Sequence, residues 1–133
     1  MRILLDTHTL VWTQDSTSAL GPGAREMLCN PENELLLSVI SVLEISRLLW
    51  GGRLSLAGNL DEWLTLSLRS LACSEVVIDR RIARLAYELP EPFHLDPADR
   101  IVVATAIACK ATVLTADERI LGYAHVSSHD CRL

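Results

Sequence analysis

The chain has 133 residues, half of them apolar, and a formal net charge of −5. That length suits one compact domain over residues 1–133, with enough apolar surface for a core that needs no staples. The acidic balance argues against a passive, sequence-independent nucleic-acid coat. The stretches Leu35 to Trp50 and Ile101 to Ile107 are interrupted or followed too soon by charges to supply the ~20 apolar residues of a membrane span.

The N-terminal apolar run, Ile3 to Leu5, stops at Asp6, which excludes a credible signal peptide. Cys29, Cys73, Cys109 and Cys131 are far apart and show no zinc spacing, so buried reduced thiols in a cytoplasmic protein are expected. The histidines are scattered. The cations are almost all Arg, with Lys110 the one lysine.

Taken in chain order, strands are expected at Arg2–Asp6, Glu34–Ser38, Glu75–Ile78, Thr112–Leu114 and, more weakly, Ala124–Ser127. Helices are expected at Thr9–Gln14, Pro22–Cys29, Val42–Trp50, Leu60–Leu71, Arg80–Glu88, Pro97–Cys109 and Glu118–Leu121. Leu43, Leu48 and Leu49 are expected on one side of their helix. Ile101, Ala104, Thr105 and Ala108 follow the i, i+3, i+4, i+7 rule. Gly51-Gly52 closes one helix, and Pro90 with Pro92 closes another. Strands alternating with helices predict an α/β fold with a mostly parallel sheet covered on both faces. Ligands of such sheets bind beyond the carboxyl ends of the strands.

Acids stand at those positions. Asp6 follows the first strand and Asp117 follows the "TVLT" strand. Glu44 lies early in the helix after the second strand, and Asp96 and Asp99 open the longest apolar helix. Each has a bland reading. Ser41 and Glu44 match a capping box, and Asp96-Pro97-Ala98-Asp99 matches an N-cap with Pro at the first helical position. Asp6 and Asp117 could cap the helices that follow them. Together they are harder to explain, because carboxylates converging on one sheet edge repel and raise one another's pKa. A divalent cation resolves this. Oxygen ligands without His or Cys select Mg²⁺ or Mn²⁺. Such an ion can lower the pKa of a bound water and stabilise charge on a phosphodiester under attack.

Three stretches carry a family resemblance: "LLDTHTLVW", "SVISVLEISRLLWGGRLSL" and "LPEPFHLDPADRIVVATAIACKATVLTADERIL". They resemble the PIN-domain ribonucleases, and within them the VapC-like toxins of bacterial toxin–antitoxin pairs. The likeness runs from Arg2 to about Leu121 and is least distinctive over 59–87. It implies a PIN-like three-layer sandwich with four to five strands and helices on both faces. It also implies an Mg²⁺- or Mn²⁺-dependent endoribonuclease whose catalytic and metal-binding acids fall on Asp6, Glu44, Asp99 and Asp117. Thr7, Thr115, Asp96 and Arg100 fall in supporting positions. Arg100 could pair an acid or touch substrate phosphate, and a structural role is the expectation. The implied partners are an RNA substrate, a cognate antitoxin and a second copy of the chain, with DNA reached only through the antitoxin. Arg80, Arg81 and Arg84 are expected on a solvated helix face.

Other readings fit less well. His8 stands where a haloacid-dehalogenase-type phosphatase needs its second Asp. A response-regulator receiver needs an acidic pair before its phosphorylated Asp and a Lys after a later strand, but the first strand here has only Asp6 and Lys110 lies in the wrong context. The alternative from another class is a catalytically silent PIN-like binding module, against which the presence of all four acids argues.

Overall fold

The computed structural model describes residues 1–16 and 18–133. Its strands are β1 (Arg2–Leu5), β2 (Glu34–Ser38), β3 (Cys73–Val76), β4 (Thr112–Thr115) and β5 (Ser128–Asp130). They form one sheet in the order β3-β2-β1-β4-β5, with every pair parallel. The helices are α1 (Thr7–Thr13), α2 (Pro22–Cys29), α3 (Ile40–Trp50), α4 (Leu60–Leu71), α5 (Arg80–Leu85), α6 (Pro97–Cys109) and α7 (Glu118–Leu121).

Strand alternation divides the core in two. Ile3, Leu5, Leu35 and Leu37 point to one face, where Leu10, Ala24, Ile45, Leu64 and Leu68 cover them. Leu4, Leu36 and Val113 point to the other, against Val102, Val103 and Ala106 of α6 and Ile120 of α7. A side chain of this size is worth about 1.5–3 kcal/mol when fully buried. β1 and β4 are apolar on both faces because both faces are covered, as a parallel sheet requires.

The chain runs outward from β1 through β2 to β3, then returns to place β4 on the other side of β1. The carboxyl ends of β1 and β4 therefore flank the point where the winding reverses, the usual place for a crevice. Leu5 pairs with both Leu37 and Leu114, so the strand entering Asp6 is held on both sides.

Several local expectations need correction. β3 starts two residues earlier than the expected Glu75–Ile78, and β5 falls beyond Ala124–Ser127. Both are edge strands. β3 leaves Ser74 and Glu75 exposed, and β5 reads Ser-His-Asp, so neither carries a strong apolar signal. Leu43 does not share a face with Leu48 and Leu49: it is 64% exposed, while α3 buries Ile40, Ser41 and Ile45. Five residues along a helix turn it by well over a right angle. Arg80, Arg81 and Arg84 lie exposed on α5. Among the described residues, no helix is long and apolar enough to cross a membrane.

Candidate active site

Asp6 leaves β1 and caps α1. Its Oδ1 accepts from the Thr7 N–H at 2.8 Å, and its Oδ2 accepts from the Thr115 hydroxyl of β4 at 2.6 Å. The same Thr115 oxygen accepts from the Asp117 N–H at 2.9 Å. One buried threonine thus ties the two strand ends together. Asp6 itself is only 4% exposed, so its carboxylate is fixed by the sheet and not by solvent.

Glu44 arrives differently from the capping-box expectation. α3 begins at Ile40, its N-cap position is Val39, and Ser41 lies inside the helix. The Ile40 N–H donates instead to Ser38 Oγ at 3.2 Å. Glu44 is therefore free to turn inward. Its Oε1 accepts from the Thr7 hydroxyl at 2.5 Å, and Thr7 Oγ1 also lies 2.8 Å from Ser41 Oγ. Burial raises the Glu44 carboxyl above its ordinary value. The Thr7 bond pulls it back, and the charges of Asp6, Asp99 and Asp96 push it further up.

α6 brings the third element. Asp96 caps it, its Oδ1 accepting from the Ala98 and Asp99 N–H groups at 2.9 and 3.3 Å, with Pro97 at the first helical position. Asp99 Oδ2 lies 2.6 Å from His94 Nε2 and 3.3 Å from Arg119 Nη2. Burial raises Asp99. The His94 bond opposes this, and the charges of Asp117, Asp96 and Asp6 add to it. At Asp117 burial also pushes upward, but the hydrogen bonds and charge of Arg119 outweigh it, and the carboxyl is held below its usual range. Both Asp117 oxygens are engaged by Arg119, whose guanidinium bridges Asp117 and Asp99.

Asp6, Thr7, Glu44, Asp96, Asp99 and Asp117 all line one open cleft of about 660 Å³. Two of the expected supporting residues do not. Thr115 is fully buried behind Asp6. Arg100 is 2% exposed, points away and donates to the carbonyls of His94, Ala86 and Phe93 at 2.8, 3.0 and 2.8 Å. Its guanidinium also stacks 4.9 Å from the centre of the Tyr87 ring. Arg100 thus clamps the segment that carries His94.

His94, His8 and Arg119 were not legible as site residues. His94 stands inside the H-x-D-P-A-D run, five residues before Asp99, which was the available signal. His8 Nε2 accepts from the Ala116 N–H at 2.8 Å, which leaves its proton on Nδ1, 3.9 Å from Asp6 Oδ2.

Comparison with known proteins decides the family: a PIN domain model matches residues 3–126. The chain is a PIN-domain protein. It is 31% identical over 123 residues to "Ribonuclease VapC22" of Mycobacterium tuberculosis (strain ATCC 25618 / H37Rv), covering 92% of each chain. Several solved structures share the fold. VapBC2 from Rickettsia felis, bound to a DNA fragment from its promoter, has a TM-score of 0.68 at 15% identity and covers 97% of this chain and 98% of that one. FitAcB from Neisseria gonorrhoeae has a TM-score of 0.64 at 22% identity, with 96% of each chain covered. This PIN-domain protein thus shares its overall fold with those chains.

The donor set of this PIN-domain protein can be tested against a divalent cation. Glu44 Oε2 and Asp99 Oδ1 accept no hydrogen bond from the protein among the described residues. Both carboxyls are raised by burial and by neighbouring carboxylates, so an added positive charge is favourable there. Among the described residues, no three His, Cys, Asp or Glu side chains are gathered into a ready-made cage. Mg²⁺ does not require one, because it keeps several waters and takes one or two carboxylates directly. An oxygen-only set of this kind fits Mg²⁺ or Mn²⁺ and not zinc.

Proposed function

We propose that this PIN-domain protein is a metal-dependent endoribonuclease and the toxin of a toxin–antitoxin pair. The observation that carries the reading is the cleft at the sheet's reversal point, into which Asp6, Glu44, Asp99 and Asp117 all face. The kinship with a named VapC ribonuclease supports the substrate class. Solved relatives in toxin–antitoxin complexes support an antitoxin as partner, with promoter DNA met through that partner.

In this reading Asp6, Glu44 and Asp99 hold Mg²⁺ or Mn²⁺, directly or through water. When bound, the cation supplies positive charge to the phosphodiester under attack and makes water a better nucleophile. The chain's own groups do the rest. Thr115 and the Thr7 N–H lock both Asp6 oxygens, so the carboxylate meets its ligand without reorganising. His94 holds one Asp99 oxygen and leaves the other to the cleft. Asp117 orients Arg119 across the cleft mouth, where the guanidinium can meet a phosphate oxygen. Glu44 is the better proton acceptor. It has an oxygen free of protein hydrogen bonds among the described residues, whereas both Asp117 oxygens are engaged by Arg119.

The test is cleavage of a mixed RNA pool by antitoxin-free protein with Mg²⁺ or Mn²⁺. Unmodified protein should cut and Asp6→Asn should not, with the fold retained by circular dichroism. Undiminished cutting by a clean Asp6→Asn preparation would sink the assignment. No cutting by unmodified protein at any metal concentration would favour a silent binding module.

A further inference from the structure

The acids occupy only one end of the cleft. The other end is built from the outer turns of α1 and α3. On α1, His8, Val11 and Trp12 fall at i, i+3 and i+4, and on α3, Glu44, Arg47 and Leu48 do the same, with Gly51 capping the helix end. That spacing keeps each set on one helix face. α1 packs beside α3, so the two faces make one wall. Asp6 is the N-cap of α1 and Trp12 lies in its last turn, while Glu44 lies in the second turn of α3 and Trp50 is its last residue. From Asp6 to Trp12, and again from Glu44 to Trp50, six residues give a rise of ~9 Å.

The end of α3 then folds back on the cleft. The Gly52 and Arg53 N–H groups donate to the Leu49 and Leu48 carbonyls, and Gly52 sits at φ +71. This is a left-handed helix stop that reverses the chain. It returns Arg53 and Leu54 to the cleft lining. Trp50 is left 91% exposed at the rim. Among the described residues, neither Arg47 nor Arg53 has a side-chain hydrogen bond or ion pair, whereas Arg119 at the acidic end is committed to two carboxylates.

We infer that this wall is a subsite for an unpaired nucleotide next to the scissile phosphate, with Trp50 stacking its base and Arg47 and Arg53 meeting the flanking phosphates. The inference rests on the nuclease reading above and names the residues that would hold the strand beside the cut. A tryptophan face accepts any base, and stacking needs the base out of a helix. Unpaired guanidinia beside it supply the backbone charge that the chain's net −5 does not. An extended strand can then run from the indole to the acids along a wall of the right reach. The acidic end repels phosphate unless a cation is bound, so the basic end also fixes the strand's approach.

The test is steady-state cleavage of a short unstructured RNA oligomer by the full chain with Mg²⁺. Trp50→Ala should raise KM about five- to tenfold, the lower part of the range for base–aromatic stacking as befits a rim position. Its kcat should stay within about twofold, and Trp50→Phe should restore KM. Arg47→Gln and Arg53→Gln should each reduce the slope of log affinity against log salt by about one. Annealing a complementary strand should raise KM at least as much as Trp50→Ala. Unmodified protein that cleaves, with Trp50→Ala at the wild-type KM and both Arg variants at the wild-type salt slope, overturns this subsite alone. So does a Trp50→Ala protein that loses a co-expressed partner chain but keeps its KM, since the wall would then serve a protein. Unmodified protein that neither binds nor cleaves the oligomer overturns the nuclease reading together with this one.

Discussion

Arg100→Met separates a clamp from a substrate contact. The guanidinium is 2% exposed and donates to three main-chain carbonyls, at His94, Ala86 and Phe93. A hydrogen bond from a charged donor is worth about 1.5–3 kcal/mol net, and a buried acceptor left bare costs a similar amount. Methionine fills much of the volume but donates nothing. The 86–94 segment can loosen and let water reach some of the carbonyls, so the loss falls a little below the low-end sum of about 4.5 kcal/mol, to about 4 kcal/mol. The ion pair to Glu91 adds little, because Glu91's side chain is 75% exposed. With an unfolding entropy near 2.1 cal/mol/K per residue, a chain of 133 residues should lose ~14 °C in melting temperature. Urea denaturation followed by circular dichroism gives the free energy, and a thermal melt gives the second figure. A loss under about 1 kcal/mol, or a raised KM for RNA in a protein of unchanged stability, would refute the clamp and make Arg100 a phosphate contact.

Thr115→Val keeps the shape but removes the donor to Asp6 Oδ2 and the acceptor for the Asp117 N–H. It should cost about 2–4 kcal/mol by denaturation and at least tenfold in RNA cleavage rate. The pH dependence of metal-free stability has a defined sign at Glu44 and Asp99. Both carboxyls are raised from ordinary values of 4.5 and 3.8, so as pH climbs past those values the folded chain holds protons the unfolded chain has released. Their contribution to stability therefore falls as pH rises through the raised values. Glu44→Gln should melt higher than the unmodified protein at pH 7 without metal and should show a flatter pH profile. A lower melting point for Glu44→Gln would contradict this.

Much of the site could be read from the chain because strand ends and helix caps are local. Asp6, Asp96 and Asp117 each accept from a backbone N–H one to three residues on, and those short-range signals are in the sequence. The capping-box reading of Glu44 does not hold. The partner of its carboxylate is Thr7, thirty-seven positions away, and not the Ser41 of a capping box. His94, Arg119 and the Trp50 wall depend on how α6, α7 and α3 approach one another in space, which periodicity does not encode. The central strands were legible from their continuous apolar runs. The polar edge strands β3 and β5 were displaced, because pairing geometry and not side-chain pattern sets their limits.

The proposed function requires a divalent cation between the first strand end, α3 and α6. Diffraction from an Mn²⁺-soaked crystal at the manganese absorption edge tests that most directly. The prediction is an anomalous peak in the cleft beside Glu44 and Asp99, with Asp6 as ligand or one water away, and no such peak in Asp99→Asn crystals. A soaked crystal of active protein with no manganese in that cleft, or with its only peak elsewhere on the chain, would contradict it.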